Sequence, residues 1–194
     1  MFKRMRQALV ALSAALPVLV GATLPATVTL KELLTVADQV LLVQLVDGRL
    51  LREGDKDCGA RYVGEVARSF KGLPKGSRVE FGPHQQLQIG VYYLLFLSQS
   101  SKPVEWYVST NDRYLAAKAD YLKSCKRVMA PFAIMHFSAG AMKVDNVDPN
   151  IDKWVVNWRS IVTLPKSIIA QETKAGALVT IGEITRAIQE GQRR

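Results

Sequence analysis

Histidine and cysteine, the residues best suited to holding a catalytic metal ion, are scarce in this sequence. The 194-residue chain has two histidines, His84 and His136, and two cysteines, Cys58 and Cys125. A zinc site of the usual kind needs three or four His, Cys or acidic ligands. His84 lies in the turn-like segment GPHQQ, and His136 lies among apolar residues. We therefore expect one solvated and one packed histidine, with no metal site and no cofactor.

Other common catalytic arrangements are also missing from the sequence. There is no G-x-S-x-G segment to expose a serine nucleophile. Gly72 and Gly76 lie between predicted strands, without the following helix that a phosphate-binding loop needs. Asp145, Asp148 and Asp152 do not match the spacing of a calcium-binding loop, so we expect them to form turns. The sequence predicts no catalytic residue, and we interpret the protein as a non-enzyme.

The two cysteines form an even pair that suits a single disulfide bond. Redox-active cysteines usually lie close together in C-x-x-C motifs, whereas Cys58 and Cys125 are separated by a long stretch of chain. In an oxidising compartment such a pair is typical of a structural bridge. We predict a Cys58–Cys125 disulfide; two reactive thiols are the alternative.

The N-terminal residues have the pattern of a secretory signal peptide. The first seven residues carry three basic side chains and no acid, an uncharged apolar stretch covers residues 8–20, and small residues follow. The predicted cleavage lies between Ala22 and Thr23, with a second choice after Ala26. A transmembrane anchor would need about 20 apolar residues, and Pro17 interrupts a stretch that is already too short. We expect a periplasmic or secreted protein without a stable membrane anchor.

The charge of the expected mature chain bounds its partners. Removing 22 of the 194 residues leaves 172, enough for one domain. The formal net charge falls from +9 to +6, because three basic residues leave with the signal. A basic exported protein can meet anionic polymers or lipids, but these charges are scattered. The nearest to clusters are Lys71, Lys75 and Arg78, and then Lys118, Lys123, Lys126 and Arg127.

The hydrophobic pattern predicts a mainly β fold with flanking helices. A helix is expected over 29–37, where Thr29 and Glu32 have capping-box spacing. Strands are expected over 40–46, 61–70, 77–81, 91–97 and 105–109, with VYYLLFL apolar on both faces as in a covered central strand. The Gly- and Pro-containing segment 71–76 predicts a turn between two of them. Residues 47–59 predict a loop or a poorly ordered hairpin, and Asn111 can cap a further helix to Lys123.

The C-terminal third is expected to add strands and a helix to the same domain. Residues 152–164 place Trp154, Val156 and Trp158 on one strand face. The final segment predicts a helix with a second capping box at Thr180 and Glu183.

The order of these segments resembles a known group of secreted proteins. The segments AD.VLLVQLV, CG.RYVGEV..SFKG, V.F and L..G.YYLLFL, with a later Cys, are similar to netrin-like or tissue-inhibitor-of-metalloproteinases-like proteins over residues 29–127. The similarity is greatest to bacterial exported members. The resemblance implies an OB-type, five-stranded barrel with flanking helices. Animal inhibitors of this group begin with a zinc-chelating Cys, which is absent here, so the resemblance assigns no inhibitory residue.

These observations predict three parts: a signal peptide at 1–22, an OB-like barrel at 23–127, and C-terminal strands and a helix at 128–194 packed on the same domain. The expected function is an exported, non-enzymatic module that binds an envelope or extracellular protein. The alternative is a basic module that binds anionic polysaccharide, lipid headgroups or nucleic acid through aromatic platforms. The aromatics available for that role are Tyr62, Tyr92, Tyr93, Trp106, Trp154 and Trp158.

Overall fold

The computed structural model describes residues 28–82, 87–100, 123–125, 128–135, 140–159, 162–174 and 176–192. Its helices are α1 (Leu30–Val36) and α2 (Ile181–Gln192), with a 3-10 turn at Ile151–Lys153. Its strands are β1 (Val28–Thr29), β2 (Gln39–Glu53), β3 (Lys56–Lys71), β4 (Arg78–Gly82), β5 (Tyr92–Gln99), β6 (Phe132–Ile134), β7 (Ala141–Asn146), β8 (Val155–Arg159), β9 (Val162–Thr163), β10 (Gln171–Thr173) and β11 (Gly176–Thr180). The protein is therefore mainly β with flanking helices, as predicted.

Five strands close into a barrel in the order β5-β2-β3-β4-β6, with β6 hydrogen-bonded back to β5. β2, β3 and β4 form an antiparallel meander, while β4 and β6 pair in parallel through Phe81 and Phe132. This is the Greek-key arrangement of an OB-type barrel, so the predicted OB-like five-stranded barrel is confirmed. The closing strand β6 lies beyond residue 127, where we expected the barrel to end. The expected strand over 105–109 falls outside the described residues.

Strands β2 and β5 separate two hydrophobic cores. Alternate residues face the barrel interior: Leu41, Val43, Leu45, Tyr93, Leu95 and Leu97. The residues between them face an outer core: Val40, Leu42, Leu94 and Phe96. Successive side chains of a strand point to opposite faces, so a strand that borders two cores must be apolar at nearly every position. This arrangement explains the two-sided apolar character of VLLVQLV and VYYLLFL.

A four-stranded layer and the two helices cover the outer core. One edge of β5 pairs with two strands: with β6 over Leu97–Gln99, and with β7 over Tyr93–Leu95. From β7 the layer continues in the order β7-β8-β11-β10. Buried residues from this layer and the helices include Leu30, Leu33, Trp154, Val156, Trp158, Ile181, Ile184 and Ile188. Trp154, Val156 and Trp158 share one face, as predicted. Within the described part of the chain, no helix is both long enough and apolar enough to cross a membrane.

Capping side chains determine where the two helices begin. Thr29 Oγ1 accepts the N–H of Glu32 at 3.1 Å, and the Glu32 carboxylate accepts the N–H of Thr29 at 2.6 Å, so the first predicted capping box is present. At α2, Thr180 Oγ1 accepts the N–H of Glu183 at 3.3 Å. The Glu183 carboxylate, however, accepts the N–H of Ile169 at 3.1 Å. In the described residues the second box is only half formed, because a distant segment takes the carboxylate.

Residues 47–59, expected to form a loop or a poorly ordered hairpin, form an ordered hairpin. β2 and β3 continue through this region and meet at a turn in which Gly54 has a φ of 59°, a conformation that glycine adopts without steric cost. Oppositely charged residues face each other beside the turn, in the pair Glu53 and Lys56. The loop interpretation is therefore wrong, and the hairpin interpretation is correct.

Candidate interaction surface at the barrel mouth

The predicted disulfide is present and buried. Cys58 on β3 and Cys125 are bonded across a sequence separation of 67 residues, with Cα atoms 5.7 Å apart. Both side chains are fully buried, in a small cluster with Leu51 and Val128. The structural role expected for the pair is consistent with this packing, since a reactive cysteine needs solvent access.

The acidic residues considered as metal ligands form turns in the structure. The Asp148 carboxylate accepts the N–H of Asn150 at 2.8 Å, and the Asn150 side chain accepts the N–H of Asp152 at 3.0 Å. Across the ranges that the structure describes, no three His, Cys, Asp or Glu side chains come together in a way that could hold a metal ion. His84 and His136 lie outside those ranges, as do the cleavage residues Ala22 and Thr23.

The aromatic residues that could have formed a stacking platform are mostly core residues. Tyr62 and Tyr93 lie inside the barrel, and Trp154 and Trp158 lie in the outer core. Tyr92 packs edge-on against Trp154, with 4.5 Å between the ring centroids. Trp106 falls outside the described residues. Burial removes the exposed ring faces on which unpaired bases would stack.

The hairpin of β2 and β3 extends beyond one end of the barrel, which we call the barrel mouth. β5 pairs with β2 only as far as Gln44, whereas β3 remains paired with β2 to Glu53. Residues 46–53 of β2 therefore have a strand partner on one side only, as far as the described residues show. The result is a two-stranded ribbon that leaves the barrel.

The disulfide cluster holds this ribbon in place. Leu51 on β2 and Cys58 on β3 pack with Cys125 and Val128, which are distant from the ribbon in sequence. Isolated two-stranded hairpins are only marginally stable in water. A covalent bond and a buried cluster at this point therefore give the ribbon a rigidity that its own hydrogen bonds would not provide.

A second chain segment, residues 87–91, crosses the barrel mouth beside β2. The N–H of Gly90 donates to the carbonyl of Leu45 at 2.7 Å, and the N–H of Leu45 donates to the carbonyl of Val91 at 3.0 Å. Two tyrosine hydroxyls also hold this segment. Tyr62 Oη accepts the N–H of Leu87 at 3.3 Å, and Tyr93 Oη accepts the N–H of Gln88 at 3.1 Å. The segment is thus anchored from inside the barrel.

Burial of Tyr62 changes the pKa of the hydroxyl that holds this segment. Desolvation raises the pKa of the Tyr62 hydroxyl above its ordinary value, and the nearby Tyr93 adds to the increase, while the hydrogen bond from Leu87 opposes it. The neutral phenol is therefore the form that the barrel favours.

Exposed apolar side chains occur along the ribbon and on this neighbouring segment. Val46 is 38% exposed, Leu50 is 68% exposed and Ile89 is 52% exposed. Gly48 lies between them: a side chain there would start 3.1 Å from Ile89 Cδ1 and 2.8 Å from the Tyr62 ring. The glycine therefore lets Ile89 lie directly against the ribbon. We call Val46, Gly48, Leu50 and Ile89 the mouth patch.

Charges of both signs cover the neighbouring outer face of β3 and β4. Arg61 forms an ion pair with Glu80, and Glu65 faces Arg78 across the strands. Alternating charges of this kind make a polar surface without a net basic groove. An apolar centre beside a mixed-charge border is the usual composition of a protein–protein interface.

Comparison of the chain with protein-family models, with curated proteins and with solved structures finds no match. The mouth patch was not predicted from the sequence. Its signal is the presence of Val46 and Leu50 near and within a charged segment whose composition predicts a loop or a poorly ordered hairpin, where polar residues are the rule. Ile89 gave no signal, since its contact with Gly48 joins segments that are distant in sequence.

Proposed function

We propose that the protein is an exported, non-enzymatic binding module that engages another protein of the envelope or extracellular space through the mouth patch. The observation that carries this proposal is the set of exposed apolar side chains on the disulfide-tied ribbon and on the segment 87–91 beside it. Single exposed apolar residues are ordinary, whereas contiguous ones indicate binding sites. Rigid presentation lowers the entropy lost when a partner binds.

The proposal of export rests on two independent features. The basic, apolar and small-residue segments of residues 1–22 have the order of a signal peptide. The buried Cys58–Cys125 bond suits an oxidising compartment such as the periplasm or the extracellular space. The mature chain then begins at Thr23, or at Thr27 if cleavage follows Ala26.

A netrin-like relationship is part of the same proposal. The OB-type barrel with an N-terminal helix has the architecture that the resemblance implies. Fold alone does not transfer activity. A mature chain starting at Thr23 lacks the N-terminal Cys of the animal inhibitors, so no protease-inhibiting role is proposed.

The proposal is tested by a charge introduced into the mouth patch. The oxidised mature protein is immobilised and incubated with envelope extract, and a captured protein is purified. The affinity of the captured protein is then measured for the wild type and for two variants, Leu50→Glu and Ile89→Glu. A buried hot-spot side chain contributes about 2 kcal/mol or more, so each variant should weaken binding about 30-fold or more. Ile169→Glu is the matched control, because Ile169 is 74% exposed, more than Leu50 or Ile89, but precedes β10.

Two results would overturn the proposal. Equal affinity of the wild type and both patch variants would show that the partner binds elsewhere. A steep loss of binding with added salt, with no effect of the patch variants, would favour the basic module for anionic polysaccharide, lipid headgroups or nucleic acid instead.

A further inference from the structure

A cleft with both polar and apolar lining residues lies far from the mouth patch, where β3 approaches the segment between β7 and β8. Its volume is about 950 Å³. Tyr62 beside the patch and Arg68 beside the cleft are six residues apart on β3, which at about 3.3 Å per residue gives roughly 20 Å. The lining residues are Ala67, Arg68, Ser69, Lys75, Pro149, Asn150, Ile151 and Trp154.

Arg68 enters this cleft in a fixed position. Its Nη1 forms an ion pair with the Asp152 carboxylate, and its guanidinium carbon lies 5.8 Å from the centroid of the Phe70 ring. The side chain is 28% exposed. A guanidinium carries five N–H donors in a planar fork, and one carboxylate oxygen on Nη1 leaves the others available. Arg68 is therefore a preorganised donor to an anion.

Lys75 supplies a second cation from the turn between β3 and β4. Backbone hydrogen bonds close this turn: the N–H of Gly76 donates to Val66 at 2.8 Å, and the N–H of Val66 donates to Ser77 at 2.9 Å. Among the described residues, the Lys75 ammonium forms no ion pair or hydrogen bond. Its charge is free to interact with a ligand in the cleft.

Neutral donors and an apolar wall complete the cleft. The side-chain oxygen Oδ1 of Asn150 accepts the N–H of Asp152 at 3.0 Å, so the side-chain nitrogen Nδ2 of Asn150 remains as a donor. Ser69 adds a hydroxyl group. Trp154 is held by its Nε1–H, which donates to the carbonyl of Asp148 at 2.5 Å. The indole thus forms a fixed apolar wall beside the donors.

The balance of charges defines the ligand class. The lining residues include two cations, Arg68 and Lys75, and no carboxylate, and only Arg68 is paired with an acid, Asp152, so the excess is one positive charge. We propose that this cleft binds an oxyanion group, a carboxylate or a phosphate, through Arg68 and Lys75, with the rest of the ligand against Trp154. Such charge-assisted hydrogen bonds are among the strongest that side chains form.

Titrations with small oxyanions test the site without a protein partner, so the result is independent of the mouth patch. Inorganic phosphate and glucuronate are added separately to the oxidised mature protein. The indole N–H of Trp154 and the amides of Ser69 and Asn150 are followed by NMR. Saturation with phosphate alone assigns a phosphorylated ligand, saturation with glucuronate alone assigns a carboxylate, and saturation with both assigns the shared oxyanion chemistry.

Arg68→Gln and Lys75→Gln should each weaken binding about tenfold or more, while Lys166→Gln, which removes an exposed charge elsewhere, should leave the affinity unchanged. Lys75→Gln breaks no ion pair of the described fold, so it remains informative if Arg68→Gln unfolds the protein. The proposal would be overturned if neither anion saturated the site, or if all three variants weakened binding equally.

Discussion

Strand β2 contributes side chains to both the barrel core and the outer core, and we therefore predict that the barrel and the outer layer unfold together. Leu41 faces the barrel core and Leu42 faces the outer core, and both are fully buried. Each pairs with an equally buried leucine on β5, Leu95 and Leu94 respectively. Leu41→Ala and Leu42→Ala therefore create similar cavities in two different cores.

Each substitution should lower the free energy of unfolding by about 2–5 kcal/mol, the range observed when a buried leucine is truncated and the site collapses only partly. A domain of this size has about 5–15 kcal/mol of stability, so most of the fold should survive each change. Ile169→Ala, at a largely exposed position, should change the free energy by about 0.5 kcal/mol or less.

The assay is urea unfolding of the oxidised protein, followed in parallel by far-ultraviolet circular dichroism and by tryptophan fluorescence. Trp154 and Trp158 belong to the outer core, so in a Trp106→Phe background, used for the reference protein and all variants, the fluorescence reports on the core that Leu41 does not touch. In each variant, the circular dichroism and fluorescence transitions should have the same midpoint, and that midpoint should be lower than in the wild type. If Leu41→Ala shifts the circular dichroism transition and leaves the fluorescence midpoint at its wild-type value, the two layers unfold separately and the shared-wall argument is wrong.

Two further predictions concern the disulfide and Glu183. The double variant Cys58→Ala/Cys125→Ala should lose about 4 kcal/mol by the loop-entropy treatment, seen as a lower urea midpoint; an unchanged midpoint would show that the bond does not constrain the unfolded chain. The N–H of Ile169 and the guanidinium of Arg186 lower the pKa of Glu183, so its stabilising effect should be present above the ordinary glutamate pKa and be lost as the pH falls through the folded value. Thermal unfolding across acidic pH should show a smaller pH dependence in Glu183→Gln, and an identical dependence in both proteins would contradict this.

The barrel could be predicted because its signals are local. Alternation in β4 places Val79 and Phe81 inside, and Thr29 with Glu32 marks the start of α1; both signals lie within a few residues. The apolar runs of β2 and β5 indicated covered strands. They could not show that their two faces border different cores, because that depends on β7 and β8, which arrive later in the chain.

The parts that sequence reasoning missed depend on contacts between distant residues. The ribbon has no repeating apolar face, so its composition resembled a loop until the pairing with β3 and the bond to Cys125 were known. Strand β6 is short and follows Pro131, and its position is set by Phe81 and Leu97 rather than by its own sequence. The partner of Glu183 lies outside its helix, and Ile89 reaches Gly48 only through the folded barrel.

The position of Cys125 also bears on how the folding chain closes its barrel. β6 follows β5 in the chain only after a long intervening segment, and until β6 pairs, the open four-stranded sheet β5-β2-β3-β4 exposes the edge of β4. The bond to Cys58 fixes the chain a few residues before Phe132, so the final strand has only a short distance left to search. Formation of the disulfide before β6 pairs with β4 would thus shorten the time during which the unpaired edge of β4 can pair with a neighbouring molecule.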